Sequence, residues 1–328
     1  MNGYIDRMNS SDSLLIEPPV LVLVGPTAIG KTELSFTIAQ RFHCEIVSVD
    51  SMQVYRYMDI GTAKPSPEEQ KRAPHHLLDV VDPDGQYDAA RFAGDALEAI
   101  KQIHFRNNIP LLTGGTGLYL KALLKGLFDA LPADDELREQ LRIRLREEGR
   151  ESLHGELCRV DPESGRRIHI QDTQRLLRGL EIYLLTGIPW SEHLRRQQEA
   201  QPPVRFGNIL QLALQRDREE LHERIEQRSR LMMEMGFVEE VDKLRSMGYS
   251  PDLPSMSSIG YRHVNNYLDG LWNKKSMMEY LVRDTRRYAK RQLTWFRADT
   301  ALHWYHPTDR DRVISHIDSR LAAMEKNR

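Results

Sequence analysis

An α/β fold, a parallel sheet flanked by helices with a helical insertion domain, is predicted for this 328-residue chain from three observations. Apolar runs at residues 20–24, 45–49 and 109–113 have the length of buried strands and alternate with helical stretches, the order that builds a doubly wound sheet. Each run ends in a segment that carries chemistry: GPTAIGKT, DSMQVYRYMDIGTAK and GGTGLY. From about Ala133 the composition turns helical and strongly charged, holding twelve arginines and no lysine to Gln198.

The elements follow in order. Residues 1–13, MNGYIDRMNSSDS, read as a disordered polar tail, without the apolar stretch of a signal peptide. The strand VLVLV leads into GPTAIGKT, which fits Gly-x-x-x-x-Gly-Lys-Ser/Thr without mismatch and makes the core P-loop NTPase-like. Gly25 and Gly30 let successive N–H groups turn into one concavity, and the helix starting near Lys31 aims its positive end there. That concavity suits an anion. Lys31 supplies a point charge for phosphate oxygens, and the Thr32 hydroxyl sits where a phosphate-bound Mg²⁺ needs an oxygen ligand. The helix KTELSFTIAQRF follows, then the strand EIVSV, which ends at Asp50. A helix capped by Asp88 carries Phe92, Leu97, Ile100 and Ile103 on its apolar side before the strand IPLLT. Loops at the carboxyl ends of parallel strands share one edge, so the three motifs are expected to form one site.

Residues 133–200 are read as the helical insertion, placed between core segments 14–132 and 201–328. Most of its arginines are expected to pair with acidic neighbours on solvated faces, leaving a subset for nucleic acid. A fourth strand is expected at 208–214, followed by helices. Met232, Met233 and Met235 read as core fillers rather than as a cofactor site. In SMMEYLVRDTRRYAKRQLTWFRAD, residues Arg283, Arg287, Lys290 and Arg297 recur near one helical face, with Arg286 and Arg291 beside it. That stripe is either an anion contact or a solvated face.

Bulk properties exclude some classes and leave others open. The formal net charge is −2, so net charge signals no nucleic-acid partner, and local patches must decide. Cys44 and Cys158 lie far apart without metal-ligand spacing, and are expected to be packing residues in a reducing compartment. The apolar runs fall far short of the roughly 20 residues needed to cross a bilayer, so no membrane association is expected. A soluble, cytoplasmic monomer is the expectation.

These motifs together resemble the tRNA dimethylallyltransferases, which add a five-carbon prenyl group to the adenosine 3′ of the anticodon. GPTAIGKT, SVDSMQVYRYMDIGTAKP, GGTGLYLKALLKGL, QRLLRGLE with TG following, SIGYR and TRRYAKRQLTWFR all occur in the family's order, from about Pro19 to Arg297. The resemblance implies that Gly25, Pro26, Thr27, Ala28, Ile29, Gly30, Lys31 and Thr32 bind the diphosphate of dimethylallyl diphosphate, with Mg²⁺ at Thr32. It makes Lys31, Thr32 and Asp50 catalytic and turns Asp50 toward the adenine amine. It assigns tRNA contacts to Asp50, Ser51, Met52, Gln53, Thr116, Arg138, Gln174, Arg175, Leu176, Leu177 and Arg178. Gln53 has an amide suited to base edges, and Arg283, Arg287 and Lys290 are the candidate anion contacts within the basic stripe. The chain departs from the family's pattern at Tyr57, where glycine is usual, at Ile170 and Gln171, where Pro-Asn is usual, and at Gly179, where alanine is usual. An adenylate prenyltransferase shares the P-loop and acid motif, but a free nucleotide does not need the long insertion. A P-loop kinase would make Asp50 a metal ligand and leave the insertion unexplained. A tRNA-binding protein with a vestigial cradle sits poorly with intact Lys31, Thr32 and Asp50.

Overall fold

A computed structural model describes residues 13–126, 131–199 and 202–326. The expected tail lies outside these residues except for Ser13. The chain divides into two compact units, one from Leu14–Lys125 and Val204–Arg328, the other centred on Gly126–Pro203.

The first unit opens with β1 (Leu14–Ile16), β2 (Val20–Val24), α1 (Lys31–Phe42) and β3 (Cys44–Val49). It continues through α2 (Pro67–Gln70), β4 (His75–His76), α3 (Ala89–Phe105), β5 (Ile109–Gly114) and α4 (Gly117–Lys125). The second unit holds α5 (Asp135–Val160), interrupted at Gly149, and then α6 (Pro162–Arg167), α7 (Thr173–Thr186) and α8 (Trp190–Glu199). The chain returns to the first unit with β6 (Val204–Phe206), β7 (Ile209–Leu214), α9 (Arg218–Glu234) and α10 (Phe237–Ser246). It ends in α11 (Tyr261–Leu268), α12 (Lys274–Arg297), β8 (His303–Tyr305) and α13 (Arg310–Lys326).

Six strands form one parallel sheet in the order β4-β3-β5-β2-β7-β8, and β1 pairs with β6 apart from it. Every residue of β2 and of β3 is buried, as strands covered on both faces require. Asp88 caps α3 as expected, accepting from the amides of Ala90 and Arg91. The register is what matters for function. Val24 of β2 and Val49 of β3 both pair with Gly114 of β5, and Val24 also pairs with Ala213 of β7. The ends of these strands are therefore level, and their loops leave the sheet along one edge.

In the first unit the core joins β2, β3, β5 and β7 to α1, α9 and α13. The second unit has its own small core of Leu141, Leu153, Leu157, Ile168, Leu176 and Leu180. The expectation of core methionines fails: Met232 and Met233 are only half-buried, Met232 lines the cavity described below, and Met235 is 67% exposed because it follows the last turn of α9. Tyr57 stands at φ 65°, a left-handed conformation that costs an L residue about 1–2 kcal/mol. That is the physical reason a glycine suits this position.

Candidate active site

The loop after β2 wraps a cavity of about 780 Å³ at the level edge of the sheet. Gly30, at φ 108°, caps α1 in a conformation that favours glycine, and the first turn of the helix begins at Lys31. Lys31 Nζ donates to the carbonyl oxygens of Gly25 and Pro26, each at 2.8 Å, which holds the ammonium across the loop. Thr27 through Thr32 line the cavity; Gly25 and Pro26 are buried behind it. Pro26 has no N–H to offer an anion, so its part in the cradle is the carbonyl that receives Lys31.

Opposite the loop stand arginines that the sequence reading did not single out. Arg224 donates from Nε to the Ala28 carbonyl at 2.9 Å, and Arg228 from Nη1 to the Thr27 hydroxyl at 3.3 Å. Their spacing of four places both on one face of α9, and LHERIEQR carried that signal. Arg216 donates to the Ile29 carbonyl at 2.9 Å while pairing with Glu220. Arg310, from α13, also lines the cavity. Against these cations the lining offers two carboxylates, Glu33, which pairs with Arg72, and Asp50. Such a cavity is built for a polyanion.

Asp50 closes the site from the end of β3. Its Oδ1 accepts from the amides of Met52 at 2.9 Å and Gln53 at 3.4 Å, which fixes the carboxylate plane. Among the described residues Oδ2 has no hydrogen-bond partner. Burial raises the Asp50 pKa, against the pull of the Met52 amide and of Lys31. Burial, and then the nearby Arg228, lower Lys31 to about 7. An anionic ligand brings the missing countercharge and returns the ammonium to its charged form. Calorimetry of inorganic diphosphate binding at about pH 8, in buffers of different ionisation enthalpy, is therefore expected to show more proton uptake for wild type than for Lys31→Met, by up to about one proton. Equal uptake by the two proteins would remove Lys31 from the titration.

The remaining expected residues divide. Ser51, Met52 and Gln53 line the cavity, and the Ser51 amide donates to Thr116 Oγ1 at 3.1 Å. The Gln53 amide is engaged within the protein: Nε2 donates to the carbonyls of Thr62 and Ala63, and Oε1 accepts from Ser48 Oγ at 2.9 Å. It braces the loop after β3, with no donor left for a base edge. In the second unit, Gln174 and Arg175 are exposed, whereas Leu176 is fully buried in the core and Leu177 packs against it. The Leu176 side chain is a packing group, not a surface contact. Arg138 and Arg178 converge on Glu181, whose side chain is 2% exposed, at 2.8 and 2.6 Å. Arg178 also donates to the carbonyls of Leu131 and Pro132. On α12, Arg283 and Arg287 are exposed and share Asp284, while Lys290 is exposed without an ion pair among the described residues.

A divalent metal finds limited protein ligation here. Among the described residues no group of three or more His, Cys, Asp or Glu side chains converges. The Thr32 hydroxyl is an oxygen donor that fits Mg²⁺ when phosphate oxygens and water complete its shell.

The chain is similar to known proteins over most of its length. A family model described as IPP transferase matches residues 53–299. The tRNA dimethylallyltransferase of Desulfotalea psychrophila is 51% identical over 306 residues, 93% of this chain and 96% of that protein. That of Geobacter sulfurreducens is 46% identical over 90% of this chain and 94% of its own length. The crystal structure of the tRNA isopentenylpyrophosphate transferase from Bacillus halodurans superposes with a TM-score of 0.68 at 36% identity, covering 94% of this chain and 98% of that one. A eukaryotic dimethylallyltransferase acting on tRNA gives 0.69 at 31% identity, over 86% of this chain and 70% of that one. With its P-loop, its opposed arginines and Asp50 on one sheet edge, and with likeness extending over nearly its whole length, the chain belongs to the IPP transferase family.

Proposed function

We propose that the protein transfers the dimethylallyl group of dimethylallyl diphosphate to the exocyclic N6 amine of the adenosine at tRNA position 37, releasing diphosphate. The observation that carries this reading is the composition of one cavity. A cationic cradle faces a single oriented carboxylate, while Ile225, Leu231, Met232 and Leu281 supply apolar wall beside it. A kinase acting on a second polar phosphate compound has no use for that wall; a five-carbon prenyl group does.

An allylic diphosphate ionises when its leaving group is stabilised. Lys31, Arg224, Arg228 and the amides of the loop are already in place around that charge, so they need no reorganisation as it develops. The Thr32 hydroxyl would help to hold Mg²⁺, which would supply further positive charge for the leaving group. The adenine amine is a weak nucleophile because its lone pair is shared with the ring. Oδ2 of Asp50 accepts a hydrogen bond from it, orients it and takes its proton as the carbon–nitrogen bond forms. The target base leaves the anticodon loop to reach the cavity, as single-stranded bases are able to do.

The helical unit is the proposed tRNA grip. Its exposed Arg175 and Gln174, and Arg138 and Arg178 held in place by Glu181, suit phosphate and sugar contacts. Arg142, Arg144, Arg146 and Arg196 pair with carboxylates of their own unit, as expected of a solvated face. No helix of the described residues is long and apolar enough to cross a membrane. A cytoplasmic location follows from the proposed tRNA substrate.

Incubation with total tRNA and labelled dimethylallyl diphosphate, without ATP, followed by digestion to nucleosides, tests the reading. Label in an N6-prenylated adenosine from tRNA is expected. A requirement for ATP would make the protein a kinase or ATPase, and label appearing only in added free adenosine nucleotide would make it an adenylate prenyltransferase.

A further inference from the structure

The basic stripe of α12 draws the eye in the sequence, but the opposite side of that helix does something more specific. Gln292 is 7% exposed and reaches between two loops. Its Oε1 accepts from the Thr27 amide at 2.9 Å, and its Nε2 donates to the Gly115 carbonyl at 2.9 Å. One side-chain amide thus joins the loop after β2 to the loop after β5. Only glycine admits this contact on the second loop, because a Cβ at residue 115 would lie 2.2 Å from Gln292 Nε2. Three residues further along α12, Trp295 seats in the same way: a Cβ at Gly117 would lie 2.2 Å from its ring. One turn earlier, Tyr288 lines the cavity. Thr116 receives the Ser51 amide, next to Asp50.

We propose that Gln292 is a positioning residue that sets the spacing of the phosphate cradle from the loops carrying Thr116 and Asp50. The chemistry demands this side chain. An acceptor is needed for the Thr27 amide and a donor for the Gly115 carbonyl, on opposite sides of one planar group, and a side-chain amide supplies both. The Thr27 amide is thereby withdrawn from the set that meets the diphosphate and becomes the fixed point from which the rest of the cradle is laid out. Without Gln292 a half-buried donor and a buried acceptor lose their partners, and the loop shifts to find others. The leaving group and the amine acceptor belong to the two sides of this bridge. A displacement of about 1 Å between reacting groups can cost about 100-fold in rate.

Two variants test the bridge. Its kinetic readout rests on the proposed transfer reaction; its binding readout does not. Gln292→Met keeps the volume and loses both hydrogen bonds. It is expected to weaken binding of inorganic diphosphate with Mg²⁺, and to lower single-turnover transfer about 10- to 100-fold, with tRNA affinity within about twofold of wild type. Wild-type diphosphate affinity and rate in this variant would overturn the proposal, even with a lower melting temperature, because Gln292 would then only pack. Gln292→Glu separates the two bonds. Ionised, the introduced carboxyl accepts from Thr27 and repels the Gly115 carbonyl; protonated, it donates to that carbonyl as the amide does. Its rate relative to wild type is expected to rise as pH falls through its titration. A ratio that is flat with pH would overturn the positioning role, including in the event that Gln292→Met fails to fold. If wild type transfers no prenyl group to tRNA, the proposed function falls, and the diphosphate titrations of both variants still decide the bridge.

Discussion

Asp50→Asn is expected to lower single-turnover transfer by about 10²- to 10⁴-fold while diphosphate binding stays at or above the wild-type affinity. The substitution keeps the shape and still accepts from the Met52 amide, which Oδ1 holds at 2.9 Å. What it removes is the capacity of the second oxygen to take a proton. It also removes a negative charge from a cavity that Lys31, Arg216, Arg224, Arg228 and Arg310 line and whose other carboxylate, Glu33, is paired with Arg72, so an anionic ligand gains rather than loses by the change. The rival role, ligation of Mg²⁺, predicts the reverse: diphosphate binding weakens sharply and recovers in part at high Mg²⁺. The pH profile adds an independent check. Asp50 must be ionised to accept the proton, and burial raises its pKa, so the acid limb of the wild-type profile should lie above the ordinary aspartate range. The limb should vanish in Asp50→Asn.

Much of the core and of the cradle was legible because the signals are local. Eight consecutive residues define the P-loop, and an apolar run followed by Asp50 defines the end of β3. Parallel strands buried along most or all of their length are nearly uniform in composition, so β2, β3 and β5 appear within a residue of their expected bounds. What stayed hidden depends on where a helix faces after packing. Arg224 and Arg228 sit in a stretch as rich in charge as any solvated helix; only the placement of α9 against the P-loop turns them inward. Gln292 was masked by its neighbours, since Arg291 beside it is exposed while Gln292 is buried. Gln53 and Leu176 show the converse limit. A motif carries a residue's position but not its partners, and here those partners are Ser48, Thr62 and Ala63 for the one and a leucine core for the other. β8, a three-residue strand at the sheet edge, has too short a pattern to stand out.

Removing cationic charge from the cradle is the second change with a large expected effect, and it should show that the site is built against the stability of the free protein. Lys31→Met and Arg228→Met are each expected to cost about 10²- to 10³-fold in transfer, the usual loss when one preorganised donor to a developing anion is removed. In the ligand-free protein the same groups are unfavourable. Burial lowers the Lys31 pKa to about 7, with Arg228 as the next cause. The sign follows from linkage. The folded protein holds the ammonium proton less tightly than the unfolded chain does, so at neutral pH this lysine subtracts stability, increasingly as pH falls from its unfolded value of 10.5 toward about 7. Lys31→Met should therefore raise the melting temperature while it lowers transfer by that factor, as is common for strained functional sites. Arg228→Met should let the Lys31 pKa rise, and proton uptake on diphosphate binding at about pH 8 should shrink toward that of Lys31→Met. Transfer within about tenfold of wild type in both variants would mean that the leaving-group charge is carried elsewhere, and the cradle would lose its assigned role.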